Sequence, residues 1–252
     1  MTQTLNNDLN NIFLWLCNNN LSLNAEKTKL CVFGKKSKLT GINEVSVKIN
    51  GNKIQSVTQI KYLGVIFDQN LNFYANVDNT MRKFSQKIGF ISRVGKNLSL
   101  YTKLLLYKAI AAPHLEYGST LLYNLPNFKI NQLQIIQNRA LRTILKCNRY
   151  TPVSSMLSVL NVLSVNQKIV FNVHLFIHNL LPKYITDKVK LFKDVHLYNT
   201  RHCNDFILED RCNTVQKLNS IMHKGISDFN KLPPNIKSLS LIHISEPTRR
   251  TP

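Results

Sequence analysis

The chain has 252 residues and a mass of 29.0 kDa, enough for one large domain or two modest ones. Lysine and arginine number 33 against 13 acids, a formal charge of +20, and 44% of residues are hydrophobic. That balance excludes wholesale disorder and raises the case for a polyanionic partner. Five scattered cysteines, with no CxxC pair, argue against a zinc finger or a disulfide scaffold and point to a reducing setting. No apolar run is long enough to span a bilayer, and the polar start lacks a secretory pattern, so the expected location is the nucleus or cytoplasm, without a membrane.

Leu5, Leu9, Ile12, Phe13 and Leu16 recur at spacings of three and four and predict an amphipathic helix over 4–18. Asn18, Asn19 and Asn20 should end it, because short amides compete for backbone hydrogen bonds and tolerate unusual turns. Residues 29–34 read as a buried strand closed by Gly34. Residues 44–49 alternate in part, and Asn50-Gly51 follows as a tight-turn signal. Ile54 and Val57 mark a second short strand. Residues 59–67 supply a third, with Gly64 inside it as a bend or a point of close approach.

From Tyr74 the pattern becomes helical. Val77, Met81, Phe84, Ile88 and Ile91 form one apolar stripe. A second helix is predicted over 98–112, with Pro113 ending or kinking it. A third covers 128–147, burying Leu133, Ile136, Ala140, Leu141 and Ile144. Pro152 opens a further helix, with Thr151 as its cap. Residues 167–181 are apolar and carry His174 and His178, until Pro182 interrupts them. A mixed segment follows, then a short helix over 215–225 and a Leu232-Pro233-Pro234 loop. The expected class is α+β: a small antiparallel sheet with one covering helix, then a mainly helical bundle.

The charge is uneven. Residues 1–80 carry eight Lys/Arg and five acids, residues 81–150 twelve and one, and residues 151–252 thirteen and seven. Glu116 is the one acid of the middle third. A solvated helical face usually mixes signs, because like charges at close spacing repel. A surface for a phosphate backbone is the sharper reading. An ordinary lysine-rich surface, an anionic membrane or an acidic protein are the alternatives. Arg139, Arg142 and Lys146 stand at spacings of three and four on one helix face, and Lys83 and Lys87 beside Arg82 form a second row. Arg93 and Lys96 continue the second row, and Tyr117 and Tyr123 offer rings for stacking.

Chemistry of the acid–base or two-metal kind needs clustered carboxylates, and this chain has no adjacent aspartate pair. Asp68 is expected to cap a turn, with cation binding as the alternative. His174 and His178 share a helix face without the glutamate of HExxH, so core-edge packing is favoured over zinc. His202, Cys203, Cys212 and His223 form a still looser set, and Glu209-Asp210 reads as a solvated or ion-paired face. No GxGxxG, GxxxxGK[ST] or GxSxG pattern occurs.

Several strings nevertheless resemble one family in order and spacing. LWLCNNNLSLNAEKTK at 14–29 is similar to the segment just after the catalytic strands of reverse transcriptases encoded by non-LTR retrotransposons. KYLGV at 61–65 resembles their primer-grip motif. LYKAI at 106–110, PHLEYG at 113–118 and LQIIQNRALR at 133–142 resemble their thumb and the region beyond it. Gly225 with FNKLPPNI at 229–236 resembles a string near the end of jockey-like elements.

The resemblance implies part of an RNA-directed DNA polymerase of right-hand fold, whose full-length form uses two magnesium ions. The chain would hold the C-terminal part of the palm with its primer grip (1–70), a helical thumb (71–182) and a mixed extension (183–238). The family's paired-aspartate turn normally precedes the helix that here begins near residue 4, so no catalytic residue, no metal site and no small-molecule cofactor are expected in this chain. By position, Lys27 matches a lysine near the incoming nucleotide, with a plain surface lysine as the alternative. Lys61, Tyr62, Leu63 and Gly64 match the primer grip, with sheet core as the alternative for Tyr62 and Leu63. Arg82, Lys83, Lys87, Arg139, Arg142 and Lys146 would follow the backbone of element RNA or of an RNA–DNA template–primer. Residues 239–249 resemble a translated transposase adaptor from sequencing libraries, so 239–252 reads as a non-native tail.

Overall fold

The computed structural model describes residues 2–24, 26–39, 47–184, 195, 205–206 and 215–237. Residues 44–46 of the strand expected over 44–49, the Glu209-Asp210 pair, His202, Cys203, Cys212 and the tail from 239 lie outside the described residues. The chain divides into two compact units, Met1–Thr80 and Met81–Pro252.

In the first unit, α1 (Thr2–Asn18) covers the predicted span; of its stripe Leu9, Phe13 and Leu16 are half-buried, while Leu5 and Ile12 are exposed. It ends as its asparagines require: Asn19 Nδ2 donates to Trp15 O at 2.8 Å, and Asn20 turns left-handed at φ 55°. The short strands β1 (Lys29–Leu30), β2 (Lys48–Ile49), β3 (Asn52–Lys53) and β4 (Gln55–Ser56) follow, with α2 (Lys36–Leu39) between the first two. β2 and β3 form the hairpin announced by Asn50-Gly51; both turn residues have positive φ, 46° and 77°, as a type I′ turn demands. Val47, Ile49 and Ile54 are buried under Leu9 and Phe13 of α1. The Asn6 and Asn10 side-chain oxygens accept from Lys48 N and Asn50 N, fixing α1 on the hairpin.

The sheet differs from expectation in two ways. Among the described residues it consists of three two-stranded ladders, and β1 pairs with β4 in parallel. The third predicted strand is a second hairpin, β5 (Gln59–Tyr62) against β6 (Val65–Asp68). Leu63 and Gly64 form its turn, at φ 46° and 86°. Gly64 therefore supplies a backbone conformation, not a strand interior.

Next comes α3 (Tyr74–Val94), where Val77, Phe84 and Ile91 are fully buried along the predicted stripe. In the second unit, Ser99 caps α4 (Leu100–Leu106) by accepting from Thr102 N at 3.2 Å. Pro113 does not end this helix. The chain widens into one π turn over Tyr107–Ala111, with Ala112 N donating to Tyr107 O, and continues as α5 (Ala112–Glu116). A widened turn relieves the clash of a proline ring with the preceding carbonyls. α6 (Asn127–Leu145) buries all five predicted core residues. α7 (Val153–Leu160) starts one residue after Pro152, which occupies the cap position in place of Thr151. α8 (Val165–Tyr184) passes through Pro182 without breaking. α9 (Val215–Leu218), a π turn over Ile221–Gly225, α10 (Ile226–Asn230) and α11 (Pro234–Lys237) complete the described chain. The fold class is thus a small open mixed sheet with a covering helix, followed by helices.

Candidate nucleic-acid interface

The exposed tip of the β5–β6 hairpin presents the KYLGV residues. Tyr62 is 62% exposed and Leu63 74%, so the sheet-core alternative for these two side chains is wrong. Tyr62 ends β5 opposite Val65 and Leu63 opens the two-residue turn; both are exposed, whereas Val65 on β6 is buried. Lys61 is exposed beside them. Asp68, at the far end of β6, holds the hairpin to the start of α3. Its Oδ1 accepts from Asn70 N (3.0 Å) and Asn72 N (3.2 Å), and its Oδ2 from Phe73 N (2.8 Å). Asn76 Oδ1 accepts from Ile66 N at 3.1 Å. A carboxylate occupied by three amide donors is a turn cap, as its sequence position suggested. Asp68 also helps burial push the Cys31 thiol up, burial being the larger cause.

Lys27 is exposed in a turn closed by Asn24, whose Oδ1 accepts from Lys27 N at 3.0 Å. Thr28 donates to Asn24 O through both its amide and its hydroxyl.

In the second unit, Arg82 and Lys87 of α3 are exposed and Lys83 is half-buried. The two lysines act on His114 of α5: burial lowers its imidazole below the ordinary value, and the charges of Lys83 and Lys87 lower it further. Glu116, the lone acid of 81–150, is drawn off by Lys168 of α8 at 3.3 Å. On α6, Arg139 is exposed and Arg142 half-buried, with its Nε buried and unpartnered among the described residues. Lys146 is not a true member of the helical row. It is the cap, left-handed at φ 53°, and its Nζ donates to Lys96 O at 3.5 Å. The helix therefore brings two cations to one face and swings the third toward the end of α3.

The scaffold under these cations rests on glutamines that sequence reading missed. Gln137 is buried; its Nε2 donates to Leu163 O at 3.0 Å and reaches the Tyr107 hydroxyl at 3.4 Å. Gln134 Oε1 accepts from Val165 N, and its Nε2 bridges Gln137 and Asn138. The start of α8 also carries a capping box: Ser164 Oγ faces Gln167 N, and Gln167 Oε1 accepts from Ser164 N at 3.0 Å. The S-x-x-Q spacing at 164–167 was a legible signal for it.

Tyr123 is not free to stack. Its hydroxyl donates to Asp228 Oδ2 at 2.6 Å, and Lys224 lies 5.3 Å above its ring. Burial, then the bond to Asp228, raises its phenol. Burial alone would raise the Asp228 carboxyl, but donors from Tyr123 and Lys231 outweigh it and the net shift is down. His174 and His178 both pack on Phe229, each with ring centroids 6.2 Å from it, and join a core of Val173, Ile177, Phe206 and Ile226. They are core-edge histidines, and burial lowers the His174 imidazole. Gly225 packs tightly there: a Cβ would lie 3.1 Å from Ile177 Cδ1 and 3.2 Å from Val173 Cγ1. Asn230 pairs its amide with both backbone groups of Phe206. Among the described residues no group of three or more His, Cys, Asp or Glu could hold a metal ion, and no single helix is long and apolar enough to cross a membrane.

No family model matches the chain, and no solved structure matches it. Curated relatives do. Over 133 residues the chain is 32% identical to the RNA-directed DNA polymerase from mobile element jockey of Drosophila melanogaster, covering 52% of this chain and 14% of that protein. The polymerase from mobile element jockey of Drosophila funebris is 29% identical over 137 residues, with the same coverage. The probable RNA-directed DNA polymerase from transposon X-element of Drosophila melanogaster is 28% identical over 136 residues, covering 53% of this chain and 14% of its own. The matched part thus spans about one seventh of these relatives' length. The chain is a distant homologue of polymerases from jockey and related non-LTR retrotransposons.

Proposed function

We propose that this chain serves as the palm-side hairpin and thumb of an RNA-directed DNA polymerase from a jockey-like non-LTR retrotransposon, gripping the backbone of an RNA–DNA template–primer without joining nucleotides itself. One observation carries the reading: twelve cations and one acid occupy residues 81–150, and that acid is held by Lys168. A local excess of cations over acids attracts phosphates. The polymerase homology gives the phosphates a source. The exposed Lys61–Gly64 tip suits contact with a primer end, since a turn offers backbone amides and a glycine allows close approach. Lys27 would serve an incoming nucleotide only beside metal-bound carboxylates contributed from elsewhere. Magnesium enters this reading as the cofactor of the full-length enzyme.

The test is fluorescence anisotropy on an RNA–DNA hybrid, comparing the native chain with an Arg139→Ala/Arg142→Ala/Lys146→Ala variant. Losing three phosphate contacts should flatten the salt dependence by about three units of log K per log salt. An unchanged slope removes this helix from the footprint. Primer extension on an RNA template with magnesium and four nucleotides should yield no product from this chain alone; template-dependent product would refute that half of the proposal.

A further inference from the structure

Where the end of α3 meets the end of α6, a cleft of about 250 Å³ opens between Ser92, Gly95, Lys96, Lys103, Thr143 and Lys146. Three ammonium-bearing side chains line it and no acid does. Lys103 is the notable member, because it is only 6% exposed and no carboxylate among the described residues pairs with it. Burying an uncompensated charge is costly, and native proteins normally pair it. Its stem packs on Gly95, with Cε 3.4 Å and Cγ 3.5 Å from where a Cβ would sit, so the missing side chain makes room for the lysine. Lys146 spends one N–H on Lys96 O. An ammonium has three donors, which leaves two for a ligand. The Thr143 hydroxyl is committed to Arg139 O at 3.0 Å and forms wall only. The Lys96 carbonyl, in the turn after α3, holds Lys146 at the cleft before any ligand arrives.

We propose that this cleft is a phosphate-seating pocket, with Lys103 as its buried cation and Lys96 and Lys146 closing over the anion. The pocket deepens the backbone-gripping reading and rests on it for the source of the phosphate, but not for the pocket itself. An internal phosphodiester of a nucleic acid and a terminal phosphate monoester share the required chemistry. A seated phosphate also fixes register, because one pocket takes one phosphate, whereas an open row of cations lets a backbone slide.

The experiment is a ¹⁵N-resolved titration of the full chain at constant ionic strength, following the Gly95 and Thr143 amides, with three probes: inorganic phosphate, a hybrid duplex with 5′-hydroxyl ends, and the same duplex with 5′-phosphates. Inorganic phosphate should shift both amides saturably, where chloride at equal ionic strength does not. Lys103→Met keeps the stem and removes the charge; Lys96→Met lies on an exposed residue and guards against a folding defect. Each should weaken the phosphate response, Lys103→Met at least tenfold. Shifts with the 5′-hydroxyl duplex assign the site to an internal phosphate, and shifts with the phosphorylated duplex alone assign it to an end. A response to inorganic phosphate with no duplex binding sustains the pocket and defeats the backbone reading. Silence of both amides toward all three probes, or an unweakened phosphate response in both folded variants, overturns the pocket.

Discussion

Replacing Asp68 with alanine separates a structural carboxylate from a metal ligand. The side chain is 7% exposed and its oxygens accept three backbone N–H groups, from Asn70, Asn72 and Phe73. Each bond to a charged acceptor contributes about 1.5–3 kcal/mol in isolation. The three are not additive here, because Asn70 and Asn72 are exposed and their amides can turn to water, while Phe73 is half-buried. The net loss is therefore about 2–4 kcal/mol, carried mainly by the Phe73 amide. Urea unfolding followed by far-ultraviolet circular dichroism reads this loss. Asp68→Asn should fall between the two, keeping the acceptor for Asn70 and Asn72. Magnesium should leave the native midpoint unchanged, since ligands that bind only the folded state raise it. A loss below about 0.5 kcal/mol, or a midpoint that climbs with magnesium, would refute the turn-cap assignment.

Other expectations follow from the second unit. Gln137→Leu strands the Leu163 carbonyl and frees Gln134, and should cost about 1–3 kcal/mol in thermal unfolding followed by helical circular dichroism. Gly225→Ala drives a methyl against Ile177 and Val173 and should destabilise by about 1–3 kcal/mol, read the same way. His174 and His114 both titrate below the ordinary imidazole value of 6.5 when folded, so the stabilisation of their neutral forms is complete above that value and is lost as pH falls through it toward the folded values. The melting temperature of the native chain should therefore drop between pH 7 and pH 5, and His174→Phe should drop less over the same interval.

The helices were readable wherever one face alone is buried. The stripes on α3 and α6 repeat at helical spacing, and the structure buries all of the α6 stripe and Val77, Phe84 and Ile91 of the α3 stripe, with Met81 and Ile88 half-buried. Asn50-Gly51 was equally readable, because both residues favour positive φ. Leu63-Gly64 makes the same kind of turn without such a signal: leucine resists φ of 46°, so only pairing of β5 with β6 forces it there. That single miss placed Leu63 inside a strand when it turns the chain, and hid the exposure of Tyr62 at the end of β5. Pro113 read as an end or a kink because local propensity does not foresee a π turn, and Pro182 read as an interruption although α8 continues through it. At the candidate interface the cation rows were visible as charge and spacing. What was hidden is how Lys146 leaves its row through a left-handed cap, and how Lys103, unremarkable in sequence, becomes buried against Gly95. The first places Lys146 against Lys96, fifty residues away, and the second folds the end of α3 back on α4.

The central claim is a grip on phosphates by Arg82, Lys83, Lys87, Arg139, Arg142 and Lys146. The affinity of the native chain for an RNA–DNA hybrid, measured from 50 to 200 mM salt, tests it most directly. Six phosphate contacts predict a slope of log K against log salt near −5, a weakening of about 10³-fold across that range, with little dependence on sequence. A slope shallower than about −1, or affinity that follows base sequence and ignores salt, would contradict it.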